Sequence, residues 1–155
     1  MRKEKQAEVI KASKFAHHKI EGIITARLAH NDITAAQSHV LMMIMCEQEK
    51  KQGAVYPSDI QRKLHISGAT VSGLVKKLRQ NGYLTLEGCD TDERRRGLIA
   101  TQKALTHKAE IESCMSSIED RAFKGFTEEE LDTMHSLLVR MAENLKNEVK
   151  EEREE

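Results

Sequence analysis

The sequence predicts a mainly α-helical protein that carries one small β-hairpin. Three observations point there. Long stretches repeat apolar residues at steps of three and four, the period of an amphipathic helix. The 155 residues include one proline, three phenylalanines, two tyrosines and no tryptophan, with seven methionines and 32% charged side chains. Such a composition suits packed helices better than a sandwich or barrel. Residues 57–101, finally, switch from helical spacing to short alternating β-prone runs and back, across an Arg-rich turn.

Taken in order, residues 5–29 place Val9, Ile10, Ile20, Ile23, Ile24 and Leu28 among polar residues, which predicts a long first helix. Asn31 and Asp32 break it. Thr34, with Gln37 three positions on, has capping-box spacing for a second helix ending near Lys50-Lys51-Gln52-Gly53. Its HVLMMIM run is nearly all apolar and therefore predicted to be buried on most sides. Ala54-Val55-Tyr56 fits a very short strand. A third helix runs from Pro57-Ser58 to His65, with Ser58 as N-cap or Pro57 near the first turn. Ser67 is the expected N-cap of a helix over 68–81, in which Val71, Leu74, Val75 and Leu78 form one apolar stripe. Asn81-Gly82 ends it, Gly82 suiting the left-handed position after a helix.

Tyr83–Glu87 alternates, Leu98–Thr101 is β-prone, and residues 88–97 between them are too polar to bury, so a hairpin with a charged tip is predicted. Residues 102–123 return to helix, with Leu105, Ile111, Met115, Ile118 and Ala122 on the expected buried face. Gly125 interrupts. Thr127 and Glu130 form a second capping box, and Leu131, Met134, Leu138, Met141 and Leu145 then step by three and four in a heptad-like seam. No internal repeat is present.

Helix, turn, helix, strand, Arg-rich loop and strand within about 45 residues make a winged helix-turn-helix, and that order points to double-stranded DNA. The helix over 68–81 has what such a role needs: one apolar face to bury and one small, polar face to present. Gly68, Ala69, Thr70, Ser72, Lys76 and Lys77 lie off the stripe, behind the cap Ser67. Small residues at the N-terminal end permit close approach to base edges, and the lysines further along suit phosphates. At the hairpin tip stand Arg94, Arg95 and Arg96, with Asp92 placed to brace Arg94. A guanidinium fits the narrow, electronegative minor groove. The competing reading of the helix is an ordinary solvated polar face, and of the tip a solvated charged turn.

The segment ISGATVSGLVKKLRQNGYLTLEGCDTDERRRGLIAT resembles the DNA-binding lobe of MarR-family transcription regulators, through Thr70-Val71-Ser72, Leu78 to Gly82, and Asp92-Glu93-Arg94. The element order over residues 5–150 is similar to theirs as well. The resemblance implies one domain over 1–155. Residues 1–33 and 103–155 would be dimerisation helices, and 34–102 the winged lobe. It also implies a homodimer on an inverted-repeat site, recognition helices in major grooves, a wing arginine in the minor groove, and often release by a ligand or oxidant. Three features depart from the family pattern. Gly73 stands where a larger, often basic, side chain is common. Ala100-Thr101 replaces Leu-Thr. No cysteine precedes Cys46, whereas the peroxide-sensing members use an N-terminal one.

Charge is distributed unevenly. Net formal charge is zero, yet Lys/Arg against Asp/Glu gives +3 over residues 1–54, +4 over 55–103 and −7 over 104–155. DNA responds to the local field of a docking face, so a neutral total does not exclude it. Cys46, Cys89 and Cys114 form no CxxC pair, so neither a disulfide framework nor a zinc knuckle is expected; Cys89, in the wing, is a minor redox candidate, the favoured alternative being a bystander thiol. Seven histidines include no HExxH or His-x3-His pair, so no metal and no cofactor is expected. His39 and Met43, on the second helix, are the candidate effector cleft for a small molecule; the alternative is polar packing for His39 and core for Met42-Met43-Met45. No apolar run is long enough for a bilayer and the N-terminal residues lack an apolar signal core, so no membrane association and a cytoplasmic location are expected. Nothing resembles a nucleophile–base pair, a phosphate loop or a carboxylate dyad, so the chain is read as a non-enzyme. The reading is a dimeric, sequence-specific regulator, with a repressor function and small-molecule release. The alternative is a winged-helix protein-interaction module that does not bind DNA.

Overall fold

The structure is a computed structural model that describes residues 1–88 and 96–145. The elements are α1 (Arg2–Leu28), a single 3₁₀ turn (Ala29–Asn31), α2 (Ala35–Lys51), α3 (Pro57–Leu64), α4 (Gly68–Gln80), β1 (Leu84–Glu87), β2 (Gly97–Ala100), α5 (Gln102–Ala122) and α6 (Glu128–Leu145). Residues 1–118 form one compact unit and the chain from Glu119 a second. Among the described residues no helix is long and apolar enough to cross a membrane.

In the first unit α2 is central and packs against α1, α3, α4 and β2. Its start is fixed as the sequence predicts: Thr34 Oγ1 accepts from Gln37 N at 3.3 Å, and Gln37 Oε1 accepts from Thr34 N at 3.0 Å. It ends at Gln52 in the left-handed conformation. Val40, Leu41, Ile44 and Met45 are buried, Met42 and Met43 half-buried, and His39 exposed. The predicted stripe of α1 is buried only near its C-terminal end, at Ile24 and Leu28; Val9, Ile10, Phe15 and Ile23 are exposed.

Two sequence expectations are corrected. Ser58 is not the cap of α3. Tyr56 holds that position, Pro57 is the first helical residue, and the Asp59 carboxylate reaches back to accept from Tyr56 N at 3.1 Å. The missing N–H of proline suits that first position. Leu105 and Ala122 are exposed, and the buried face of α5 is Ala104, Ile111, Cys114 and Ile118. Hydropathy favoured the leucine, but the seven-residue steps through Ile111 and Ile118 select its small neighbour, Ala104.

β1 and β2 pair antiparallel, with Leu84 opposite Ala100 and Glu87 opposite Gly97. Val55 adds one bridge to Leu98, donating at 3.1 Å and accepting at 2.7 Å. Gly82 turns the chain at φ +77°. Tyr83 is fully buried, and its hydroxyl donates to Asn31 O at 2.8 Å, tying the hairpin root to the end of α1. Asn31 Nδ2 in turn donates to Glu110 Oε2 at 3.0 Å, and His30 Nε2 lies 2.7 Å from Glu110 Oε1. The Asn31 carboxamide first, then His107 and His30, hold the Glu110 carboxyl below the usual carboxylate range.

In the second unit Gly125 has φ +88°, and Thr127 and Glu130 form the expected reciprocal cap at 2.9 and 3.2 Å. None of the α6 residues is buried. Met134, Leu137, Leu138, Val139 and Leu145 are exposed.

Gly97 is required for packing rather than for backbone conformation. A Cβ there would lie 2.4 Å from Ala54 Cβ. Gly97→Ala is therefore expected to push β2 away from the Val55 bridge and lower stability by about 1–3 kcal/mol, as overpacking does. Chemical denaturation checks it, and an unchanged midpoint would contradict the close approach.

Candidate nucleic-acid interface

The site is built on α3 and α4, and two buried carboxylates hold α3 in place. Glu47 of α2, 5% exposed, receives Lys63 Nζ at 2.6 Å and pairs with Lys50 at 3.5 Å. Asp59 at the start of α3, 8% exposed, meets Lys51 at 3.2 Å and Arg62 at 2.7 Å besides the Tyr56 amide. The Lys63 hydrogen bond holds Glu47 below the usual carboxylate range, against the opposing effect of burial. The Tyr56 N–H does the same for Asp59, with Lys51 and Arg62 adding to it.

α4 then packs its stripe inward. Val71, Val75 and Leu78 are buried and Leu74 half-buried, facing α2 and α3. Ser67 Oγ accepts from Thr70 N at 3.2 Å and lies 2.8 Å from Thr70 Oγ1, so both hydroxyls are engaged in the cap. The flank of α4 beside this stripe, the exposed side of α3 and the hairpin root enclose an open concave surface. Of the residues singled out in the sequence, Gly68, Ala69, Ser72, Lys76 and Arg96 line it. Ser67, Thr70 and Lys77 lie outside its lining, Thr70 and Lys77 being exposed and Ser67 half-buried. Arg96 belongs to the hairpin root, where its Nε is buried without a hydrogen-bond partner among the described residues. Asp92, Arg94, Arg95 and Cys89 lie outside the described residues.

Sequence reasoning missed Ser58, Gln61, Arg79, Gln80 and Thr85, which line the same surface. The i, i+4 row Gly68–Ser72–Lys76–Gln80 would have found Gln80. Gln61 and Thr85 required the packing of α3 and β1 against α4. The lining carries three cationic side chains, Lys76, Arg79 and Arg96, and no carboxylate among the described residues. That is a local field suited to an anionic polymer.

The candidate effector residues lie on α2. Met43 is half-buried and packs against the core. His39 keeps an exposed edge near α1; crowding by surrounding protein lowers its pKa, Glu21 opposing and His17 reinforcing the shift. Cys46 is half-buried and Cys114 buried, both as free thiols. Among the described residues no group of three or more His, Cys, Asp or Glu side chains is arranged to hold a metal ion.

A helical pair, a hairpin root and a cationic concave surface define a winged helix-turn-helix protein. Residues 31–95 match the model of the MarR family. A comparison with curated protein sequences gives no match. Among solved structures, a MarR protein from Peptoclostridium difficile is similar at 22% identity and TM-score 0.77, covering 90% of this chain and 88% of that one. The S. aureus MepR–DNA complex is similar at 23% identity and TM-score 0.76, covering 87% and 94%. Bordetella bronchiseptica BpsR, whose structure is described as explaining regulation of its DNA binding by 6-hydroxynicotinic acid, gives 23% and 0.69, covering 86% and 92%.

Acid should loosen the support of α3. Glu47 and Asp59 have depressed pKa values in the folded state, so their stabilisation is complete above the ordinary carboxylate range and is lost as pH falls through the folded values. The thermal midpoint is expected to drop below about pH 5. In a Glu47→Gln, Asp59→Asn variant the neutral midpoint should be lower and the acid-side fall shallower. Identical acid profiles for variant and parent would show that these pairs contribute nothing.

Proposed function

We propose that this chain is a dimeric, sequence-specific transcription regulator that binds duplex DNA and acts as a repressor, without enzymatic activity. The observation that carries this reading is the concave surface of α3, α4 and the hairpin root, with Lys76, Arg79 and Arg96 in its lining and no carboxylate among the described residues. The match of residues 31–95 to the MarR family model and similarity to a structure solved as a protein–DNA complex support it. α4 would enter the major groove with Gly68, Ala69 and Ser72 near base edges. Lys76, and Lys77 beside the surface, would meet phosphates. Arg94, with Asp92 as its brace, and Arg95 would approach the minor groove.

A dimer accounts for the apolar side chains that the single chain leaves in water, Val9, Ile10 and Phe15 on α1 and Leu137, Leu138 and Leu145 on α6. Burying each large side chain contributes roughly 1.5–3 kcal/mol. Two-fold pairing implies an inverted-repeat site with half-sites about 10–10.5 bp apart or a multiple of that. Release by a small molecule at the α1–α2 side of His39 and Met43 is part of the same reading, supported by the printed description of BpsR. A cytoplasmic location follows from a DNA partner.

The test is the salt dependence of binding to duplexes selected from a random pool. The parent should show a steep fall of affinity with salt, and Lys76→Ala should reduce the slope by about one unit while leaving base preference intact. Salt-independent or undetectable duplex binding would overturn the proposal and favour a protein-interaction module.

A further inference from the structure

We propose that Gln61 is a specificity-determining residue of this duplex-binding face, reading an adenine edge, and that Gly68 is glycine to make room for it. The inference rests on the DNA-binding reading above. Gln61 lies on the exposed side of α3 and lines the concave surface beside Gly68 and Ser72. A Cβ built on Gly68 would stand 3.2 Å from Gln61 Oε1, 3.3 Å from Nε2 and 3.4 Å from Cδ. The carboxamide therefore packs closely over the first residue of α4, where a Cβ would force it to give way by a few tenths of an ångström.

No backbone requirement explains this glycine. Gly68 is not among the residues of positive φ, unlike Gly82, Gly88 and Gly125. Gly73, on the same helix, would meet nothing within 4 Å. Close packing of the Gln61 carboxamide distinguishes Gly68 from it.

Two neighbouring hydroxyls on α4 are already engaged. Ser67 and Thr70 share their hydroxyls in the helix cap. Gln61 makes no side-chain hydrogen bond to another described residue, so its amide donor and carbonyl acceptor both remain for a ligand. The N-terminal residues of the second helix of a helix-turn-helix contact base edges, and the carboxamide sits on the first of them. A carboxamide pairs with adenine by donating to N7 and accepting from N6, in the major groove.

The experiment measures affinity of the full-length chain for its selected duplex and for every single-base-pair variant of it, at one salt concentration and then across salt. Gln61→Ala is expected to lose about tenfold discrimination at one A·T pair per half-site, with the salt slope unchanged. Gly68→Ala should reduce discrimination at the same position with Gln61 still present, because the new methyl shifts the carboxamide. The double variant should be no worse than Gln61→Ala alone. Gln61→Glu, isosteric and exposed, should shift preference at that position toward cytosine, whose N4 donates. Retained discrimination at every position in Gln61→Ala and Gln61→Glu overturns the inference and leaves the DNA-binding reading intact. A reduced salt slope in Gln61→Ala also overturns it, since that marks a phosphate contact. If the parent prefers no duplex at all, the functional reading falls, and this inference with it.

Discussion

Burial of α2 is the constraint on which the first unit depends. Leu41 and Ile44 are fully buried and Met45 nearly so, because α1, α3, α4 and β2 all pack against this one helix. A helix covered on most sides cannot shift without disturbing each neighbour, since interiors are packed to crystal-like density. The capping box of Thr34 and Gln37 and the left-handed Gln52 fix its two ends. Everything that would touch a ligand is therefore referred to a rigid axis.

From that axis the polar supports act outward. Glu47 reaches from α2 to Lys63, and Asp59 draws Lys51 of α2 and Arg62 together. Removing one partner of such a pair costs more than the pair contributes, because a buried carboxylate is left uncompensated. The Tyr83 hydroxyl and the Asn31–Glu110 contact link the hairpin root, the end of α1 and α5. The side of α4 facing away from α2 keeps small and cationic residues, so the apolar and the functional faces of one 13-residue helix are separated by its own periodicity.

Local signals were legible in the sequence. The caps at Thr34, Ser67 and Thr127, the stripe through Val71 and Leu78, and the hairpin each follow from residues near one another in the chain. What was not legible depends on distant partners. Tyr83 reads as the start of a strand until Asn31 appears 52 residues away as its acceptor. Gln61 reads as a solvated helix residue until α4 brings Gly68 beneath it. The choice of Ala104 over Leu105 was missed because a small buried residue gives a weak hydropathy signal. The contact of the Thr70 hydroxyl with Ser67 at the start of α4 was likewise not read from the sequence. The wing expectations for Asp92, Arg94 and Arg95 fall outside the described residues.

The central claim is that the concave surface of α3 and α4 receives duplex DNA. Amide hydrogen exchange of the full chain, free and saturated with its selected duplex, tests it most directly. The account predicts slowed exchange over Ser58–Gln61 and the first turns of α4, from Val71 onward along its exposed face, as the duplex covers and steadies them. Unchanged exchange in both helices under saturating duplex would contradict it.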